Sequence, residues 1–404
     1  MAEKLLVDLA DEVNALCASP EMERRKPLWV KLFRGERPEK PPVKCAPFMT
    51  WGYDLVWRRL IPEERFHFKH GLARHLEVQL RKKIHKFRHL RDDDVIHPTV
   101  WVVAKEVTPT DEMWGLKISR TRPEEEGGAY KEIPAIRDEA DLDRLTLPHF
   151  EEDRAVDDAA RDEARELLDD RVPVKRYTRR ISYSPYEVAV LLRGGEPLLF
   201  DLYDRPEFVH RLMDRLADGI IQVETEREAA GAFDVEEGTL LHAPWDEFPP
   251  GGEHRLASGW AYLSAQSAAP LGPAMYAEFV HPYNARIAEC FGKVYYHGCE
   301  DLGEKVTSIR ELPHLRHFHV SPWTALGDVV PSLTGRKVAL EVHAHPTNVL
   351  FVWGADGIRA EARRRMDEAG EMPFDYVLCD LQTIDGADGK LEMWCDVAME
   401  ESLR

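Results

Sequence analysis

Apolar and polar positions follow two spacings along this chain, one typical of strands and one typical of helices. From residue 171 onward, short β-branched or apolar runs recur with helical stretches between or beside them. The runs are VPVKRYT at 172–178, GTLLHAP at 238–244, KVYYHGC at 293–299, HFHVSP at 317–322, KVALEVHAH at 337–345 and YVLCDLQ at 376–382. Strands that alternate with helices predict a parallel sheet with crossover helices.

The longest helical pattern lies between Pro206 and Gly231, which are typical residues for the start and end of a helix. One apolar stripe runs along it at spacings of three and four, formed by Val209, Leu212, Met213, Leu216, Ile220 and Val223. Such a stripe predicts a helix packed against the core.

The first 170 residues are less regular. A charged helix and a Pro-rich connector are predicted over 1–40 and a helix over 62–90. A strand over 99–107 is followed by another at 113–119, which together favour a hairpin. The polar stretch 120–170 indicates a surface loop and an exposed acidic helix. We therefore predict an N-terminal extension over 1–170, with helices, a hairpin and the first barrel strands, and the main part of the barrel over 171–404.

Counting strands favours one fold class. The last four strand candidates match the second half of an eight-stranded barrel, and four more are available at 43–50, 99–107, 172–178 and 238–244. We expect an α/β fold, a (β/α)8 TIM-type barrel with an N-terminal helical and hairpin extension. An open doubly wound sheet is the alternative.

Composition and charge narrow the classes of protein to which the chain can belong. The formal net charge of -19 argues against nucleic-acid binding, and no apolar run is long enough to cross a membrane. The N-terminus lacks the apolar core of a signal peptide. The six cysteines form no regular framework, so free thiols and a cytoplasmic protein are expected.

Candidate metal ligands end the strand KVYYHGC. Alternation along a strand places Tyr295, His297 and Cys299 on one face, and His and Cys are good zinc ligands. They stand at the C-terminal end of the strand, where barrel enzymes place their active sites. The alternative is a buried histidine beside an inert thiol.

Three ionisable side chains share one face of KVALEVHAH, namely Glu341, His343 and His345. Such groups are costly to bury without partners, so they favour a wet or metal-containing mouth over an edge strand with one wet face. Glu341, His343 and Tyr295 are the catalytic candidates. Cys379, in the last strand, is either the third metal ligand or a core thiol; in the second case Glu341 or His343 would replace it.

Weaker candidates follow other strands. Arg176 is predicted to bind an anionic substrate, and Trp245, Asp246 and His345 to line the pocket; a solvated loop or a packed Trp beside a capping Asp are the alternatives. His317 and His319 share a strand face, for which a surface position is expected.

Over roughly residues 170–400 the sequence resembles the uroporphyrinogen decarboxylase superfamily, especially its cobalamin-dependent methyltransferase branch. The resemblance rests on three segments, LLRGGEPLLFDLYDRPEFVHRLMDRL, YYHGCEDLGEKVTSIRELPHLRHFHVSP and YVLCDLQTIDG. In that branch a His-x-Cys pair and a distant Cys bind zinc within a (β/α)8 barrel. His297 and Cys299 match the pair, whereas Cys379 lies a few residues before the family's third position.

The resemblance implies a zinc-dependent transfer of a methyl group between a small methylated substrate, such as an aryl methyl ether, and a corrinoid. A separate corrinoid protein would be the partner, and a homodimer is left open. The arginine-rich N-terminal segment of true uroporphyrinogen decarboxylases is not recognisable, which disfavours porphyrin decarboxylation. The alternatives are a metal-assisted decarboxylase or lyase and a non-catalytic corrinoid or small-molecule binding protein.

Overall fold

Strands and helices alternate through most of the chain in the computed structural model, which describes residues 2–46, 55–121, 131–178, 181–237 and 249–404. The strands are β1 Val43–Cys45, β2 Val100–Val103, β3 Ser119–Thr121, β4 Lys131–Ile133, β5 Val174–Tyr177, β6 Trp260–Ser264, β7 Lys293–His297, β8 Leu315–Val320, β9 Ala339–His343 and β10 Phe374–Leu378. The helices are α1 Ala2–Cys17, α2 Pro20–Phe33, α3 Leu55–Leu60, α4 Gly71–His89, α5 Glu139–Asp143, α6 Arg154–Leu167, α7 Pro185–Arg193, α8 Gly195–Asp204, α9 Pro206–Ala229, α10 Pro273–Phe279, α11 His281–Ala288, α12 Val306–Ile309, α13 Leu326–Leu333, α14 Pro346–Phe351, α15 Ala355–Ala369 and α16 Lys390–Ser402.

Eight of these strands run parallel, in two groups. Six form one sheet in the order β1-β10-β9-β8-β7-β6, and β2 pairs with β5 in a second sheet. At least one helix separates each pair of consecutive strands from β6 to β10. In the described part of the chain no pairing joins β1 to β2 or β5 to β6. The predicted α/β fold with a parallel sheet is therefore confirmed, and closure into an eight-stranded barrel stays a prediction.

Two details of the strand prediction differ from the structure. The hairpin of 99–107 with 113–119 is wrong, because β2 pairs with β5 and the antiparallel pair forms between β3 and β4. The candidate strand at 238–244 lies outside the described residues. The sequence also gave no signal for β6, which pairs with β7 on the side away from β8 and follows a stretch of small residues.

The apolar stripe on α9 is buried as predicted. All six of its residues are at most 2% exposed, and α9 packs against α7, α8 and α11. Pro206 is the first residue of α9, and Gly231 follows its end with a φ of +66°. The stripe thus contributes to the outer hydrophobic core between the sheet and its helices.

A buried ion group connects α9 to the residues after it. Arg227 is fully buried and donates hydrogen bonds to Thr178 Oγ1 at 2.6 Å, to Glu224 at 3.1 Å and to Glu237. Removing the cation from such a group would leave two carboxylates buried without compensation, which is strongly destabilising.

The N-terminal helices cover the end of the large sheet at which its strands begin. The Phe33 ring at the end of α2 lies 5.4 Å from the ring of Trp260, the first residue of β6, and 5.9 Å from that of His317. The opposite end, where the strands finish, is the face at which barrel enzymes place their chemistry.

Two findings concern membrane-spanning helices and the state of the cysteines. In the part that the structure describes, every helix is too short or too polar to cross a bilayer. All six cysteines are free thiols, as the sequence predicts.

Candidate metal and catalytic site

Polar side chains gather between four adjacent strands and at the ends of two of them. We call the following residues the inner cluster: Tyr295, His297 and Cys299 at β7, His317 and His319 on β8, Glu341 and His343 on β9, and Asp375, Cys379 and Asp380 at β10. Alternate residues of the same strands, such as Phe318, Leu340 and Val342, pack in the outer hydrophobic core. The alternation of side chains along a strand separates these two faces.

Burial corrects two of the alternatives drawn from the sequence. Glu341 and His343 are at most 1% exposed, and β9 lies between β8 and β10, so the edge strand with a wet face is excluded. The surface position expected for His317 and His319 is wrong, since both are fully buried. Because the side chains of His317 and His319 have no access to water, they must find polar partners within the protein.

Glu341 is the centre of the hydrogen bonds in the inner cluster. Its Oε1 accepts from the Tyr295 hydroxyl at 2.6 Å and lies 2.6 Å from His343 Nε2 and 3.2 Å from His319 Nδ1. Nearer the start of the strands, His317 Nε2 pairs with Asp375 Oδ1 at 2.8 Å. The carboxylate of Glu341 thus fixes the orientation of two imidazole rings.

Nitrogen and sulfur atoms face one another where the strands end. Cys299 Sγ lies 3.7 Å from His297 Nε2 and 3.5 Å from Asp380 Oδ2, and Cys379 Sγ lies 3.5 Å from His343 Nδ1. The carboxylate of Asp380 lies close to both thiols. It is 3.5 Å from Cys299 Sγ, and it also forms a compact triplet with His343 and Cys379.

Three overlapping triplets in the described residues have ligand atoms within 4.8 Å of one another: His319, Glu341 and His343; His343, Cys379 and Asp380; and His317, Glu341 and Asp375. The predicted set of His297, Cys299 and Cys379 is not one of these triplets. The pair of His297 and Cys299 does adjoin them through Asp380. Which of these donors hold a metal stays a prediction.

Burial sets the protonation of the donors. It lowers the pKa of His297 well below its usual range, with a further contribution from His319, and lowers the pKa of His319 to about 4. Burial and the nearby Asp380 raise the pKa of both the Cys299 and the Cys379 thiol. Burial alone would raise the pKa of Glu341, but hydrogen bonds from His319 and His343 bring it well below its usual range. At neutral pH His297 and His319 are therefore neutral, Cys299 and Cys379 keep their protons, and Glu341 is ionised.

Asp380 was not identified from the sequence. Its φ of +60° is in the left-handed region, which Asp tolerates better than most residues. Asp380 directly follows Cys379, and its left-handed backbone conformation places its carboxylate beside Cys299. Periodicity gave no signal for Asp380, and its place just after a parallel strand is the one general indication that could have suggested it.

The structure describes two of the four residues predicted to bind substrate, Arg176 and His345. Arg176 Nη1 pairs with a carboxylate oxygen of Glu152 at 2.8 Å and lies 3.7 Å from one of Asp157. The Arg176 side chain is therefore on the side of β5 that faces α6. His345 caps α14 by accepting from the Asn348 amide. Trp245 and Asp246 lie outside the described residues. Their roles in substrate binding stay predictions.

An aromatic group lies beside His345 at the C-terminal side of β8 and β9. The rings of Trp323 and His345 are 4.7 Å apart at 77°, and Trp323 is 62% exposed. Trp323 and His345 thus lie together just after β8 and β9.

Comparison with known proteins gives related sequences and a related fold. No protein-family model matches the chain. The chain is 25% identical over 246 residues to a uroporphyrinogen decarboxylase of Bordetella parapertussis, covering 58% of this chain and 60% of that protein. It is 29% identical over 264 residues to the enzyme of Dechloromonas aromatica, covering 62% and 65%. The matched part thus spans less than two thirds of these curated relatives.

The fold is shared with a solved structure described as a methyltransferase from Methanosarcina mazei. The TM-score is 0.56 at 13% identity, and the match covers 93% of this chain and 98% of the other. At this identity the likeness concerns the fold alone. Together, the related decarboxylase sequences and the shared fold support the predicted resemblance to the uroporphyrinogen decarboxylase superfamily.

Proposed function

We propose that the chain is a zinc-dependent methyltransferase that moves a methyl group between a small methylated substrate and a corrinoid carried by a separate protein. The observation that carries this proposal is the meeting of imidazole, thiol and carboxylate donors where the parallel strands end, with His297 and Cys299 among them. The fold shared with a methyltransferase supports it.

The separation of one donor pair fits zinc. A tetrahedral zinc at about 2.3 Å from sulfur and about 2.0 Å from nitrogen separates two such donors by about 3.6 Å. His297 Nε2 and Cys299 Sγ are 3.7 Å apart. We propose that these two atoms and Cys379 hold the metal. Bound zinc would act as a Lewis acid toward the sulfur or oxygen of the substrate.

Residues around the donors would manage protons. His343 Nδ1, 3.5 Å from Cys379 Sγ, is placed to accept the thiol proton when Cys379 becomes a ligand. Glu341, 2.6 Å from His343 Nε2, stabilises the imidazolium that results, and the Tyr295 hydroxyl holds Glu341 in place. This is the carboxylate-supported histidine found in many catalytic sites.

The substrate would reach this site from the face where Trp323 and His345 lie. An aryl methyl ether suits the aromatic rings there, since such rings pack well in offset or edge-to-face contacts. The corrinoid partner would have to approach the same face, because the donors lie at the ends of the strands.

The test is metal content together with methyl transfer. The purified chain should hold about one zinc. With free cob(I)alamin as acceptor and a panel of methoxylated aromatic acids as donors, it should convert the corrinoid absorption spectrum to that of methylcobalamin and release the corresponding phenol. Cys299→Ala should abolish both properties. Cys290→Ala is the matched control, because Cys290 is half-buried after α11 and bonds only to the Arg286 carbonyl. Full activity in metal-free protein would contradict the proposal.

A metal-assisted decarboxylase is the second candidate, favoured by the curated relatives, which carry the name uroporphyrinogen decarboxylase. The two functions differ in their need for a corrinoid. Release of carbon dioxide from a carboxylated substrate without any corrinoid would support this candidate against methyl transfer.

A further inference from the structure

One histidine of the inner cluster has a ring nitrogen that is buried without a partner. His319 is fully buried, and its Nδ1 lies 3.2 Å from Glu341 Oε1 and 3.1 Å from the Tyr295 hydroxyl. Its Nε2 is buried as well and has no hydrogen-bond partner. The two sides of this ring therefore have different surroundings.

The proton of the His319 ring belongs on Nδ1. An ionised carboxylate can only accept, and the Tyr295 hydroxyl donates to Glu341 at 2.6 Å. The Nδ1–H group of His319 is then the donor to Glu341, which leaves a lone pair on Nε2. A buried acceptor left without a donor is unfavourable, so a partner is expected there.

The other histidines around Glu341 and on β8 do not share this feature. His343 has Glu341 at one nitrogen and Cys379 at the other, at 2.6 Å and 3.5 Å. His317 pairs with Asp375 through Nε2 at 2.8 Å. The His319 ring lies 4.4 Å from the ring of His297, whose Nε2 faces Cys299. His319 is thus a neighbour of the donor pair with a free lone pair.

We propose that His319 binds the metal through Nε2, alongside His297 and Cys299, and that Glu341 is the residue that positions it. A carboxylate on one nitrogen of a histidine and a metal on the other is a recurrent arrangement that fixes the tautomer and ring orientation. The ligand is a divalent cation that prefers nitrogen and sulfur, such as Zn²⁺ or Co²⁺. This inference rests on the metal of the proposed function and not on methyl transfer.

The first experiment uses the wild-type chain. X-ray absorption of the zinc-loaded protein should show at least two imidazole ligands and at least one sulfur. A spectrum with a single imidazole would overturn the inference and leave the proposed function standing. A wild-type chain that binds no zinc would overturn both.

The second experiment compares two buried histidines on the same face of β8. Zinc affinity, measured in competition with a chromophoric chelator, should fall at least tenfold in His319→Gln and change less than threefold in His317→Gln. Glu341→Gln should weaken zinc binding about 10–100-fold, as expected for a residue that positions a ligand. Unfolding curves of the metal-free variants show whether each one folds. A folded His319→Gln with wild-type affinity would mean that water, and not the metal, meets Nε2, and the inference would fall.

Discussion

Replacing Tyr295 by phenylalanine removes a single hydroxyl from the centre of the inner cluster and keeps the ring. Tyr295 is fully buried, and its hydroxyl donates to Glu341 Oε1 at 2.6 Å. Glu341 is ionised at neutral pH, because hydrogen bonds from two histidines hold its pKa well below its usual range. A hydrogen bond to a charged group contributes about 1.5–3 kcal/mol. We expect Tyr295→Phe to lower the free energy of unfolding of the metal-free protein by that amount.

The neighbouring residue provides a matched control. Tyr296 is also fully buried on β7 but faces the other way, and its hydroxyl meets the neutral hydroxyl of Tyr276 at 2.6 Å. A neutral pair contributes about 0.5–1.5 kcal/mol, so Tyr296→Phe should cost less. Urea denaturation at pH 7 measures both losses, provided that the slopes agree. An equal or larger loss in Tyr296→Phe would refute the assignment of an ionised Glu341.

Three further predictions concern stability. Both carboxylate oxygens of Glu300 are buried without a hydrogen-bond partner, and burial raises the pKa of Glu300 from 4.5 to about 7, so the folded protein loses stability as pH rises through that window. Glu300→Gln should therefore raise the free energy of unfolding of the metal-free protein by about 2–3 kcal/mol at pH 8 and change it little at pH 4.5. Urea titrations at the two pH values measure this difference. Arg227→Met should cost about 3–5 kcal/mol in chemical denaturation, because it leaves two buried glutamates uncompensated, whereas Arg211→Met, at a half-exposed pair, should cost less than about 1 kcal/mol. Gly35→Ala should lower the melting temperature more than Gly335→Ala. Both glycines have a positive φ, but only at Gly35 would an added Cβ meet backbone atoms, since it would lie 2.7 Å from the Lys337 carbonyl carbon.

The candidate site was predictable where alternation along a strand carried the signal. Tyr295, His297 and Cys299 on one strand, and Glu341 with His343 on another, were identified because residues two apart share a face. The same rule applied to His317 and His319, yet a surface position was expected for them. Whether a polar face looks inward depends on the neighbours of its strand, and strand order is a property of the tertiary fold.

Other features had no local signal. The pairing of β2 with β5 joins residues more than 70 positions apart, so an adjacent hairpin was the simpler prediction. β6 was missed because its neighbours are small residues, and its role as a strand depends on pairing with β7. Asp380 required a positive φ that brings its carboxylate to Cys299, which no periodicity encodes.

The protonation of the donors links the proposed metal to the polar interior. Burial raises the pKa of both thiols, so at neutral pH Cys299 and Cys379 hold their protons until a metal replaces them. Burial lowers the pKa of His297 and of His319, so these imidazoles are already neutral and release none. Metal binding must therefore release the thiol protons, which makes affinity rise with pH. His343, between Cys379 and Glu341, is the one imidazole placed to take such a proton without leaving the cluster, since its Nδ1 faces the thiol and its Nε2 faces the carboxylate. In the proposed function, the buried Glu341 carboxylate would thus support the Cys379 thiol through His343, which would give an ionised glutamate a role so deep among the strands.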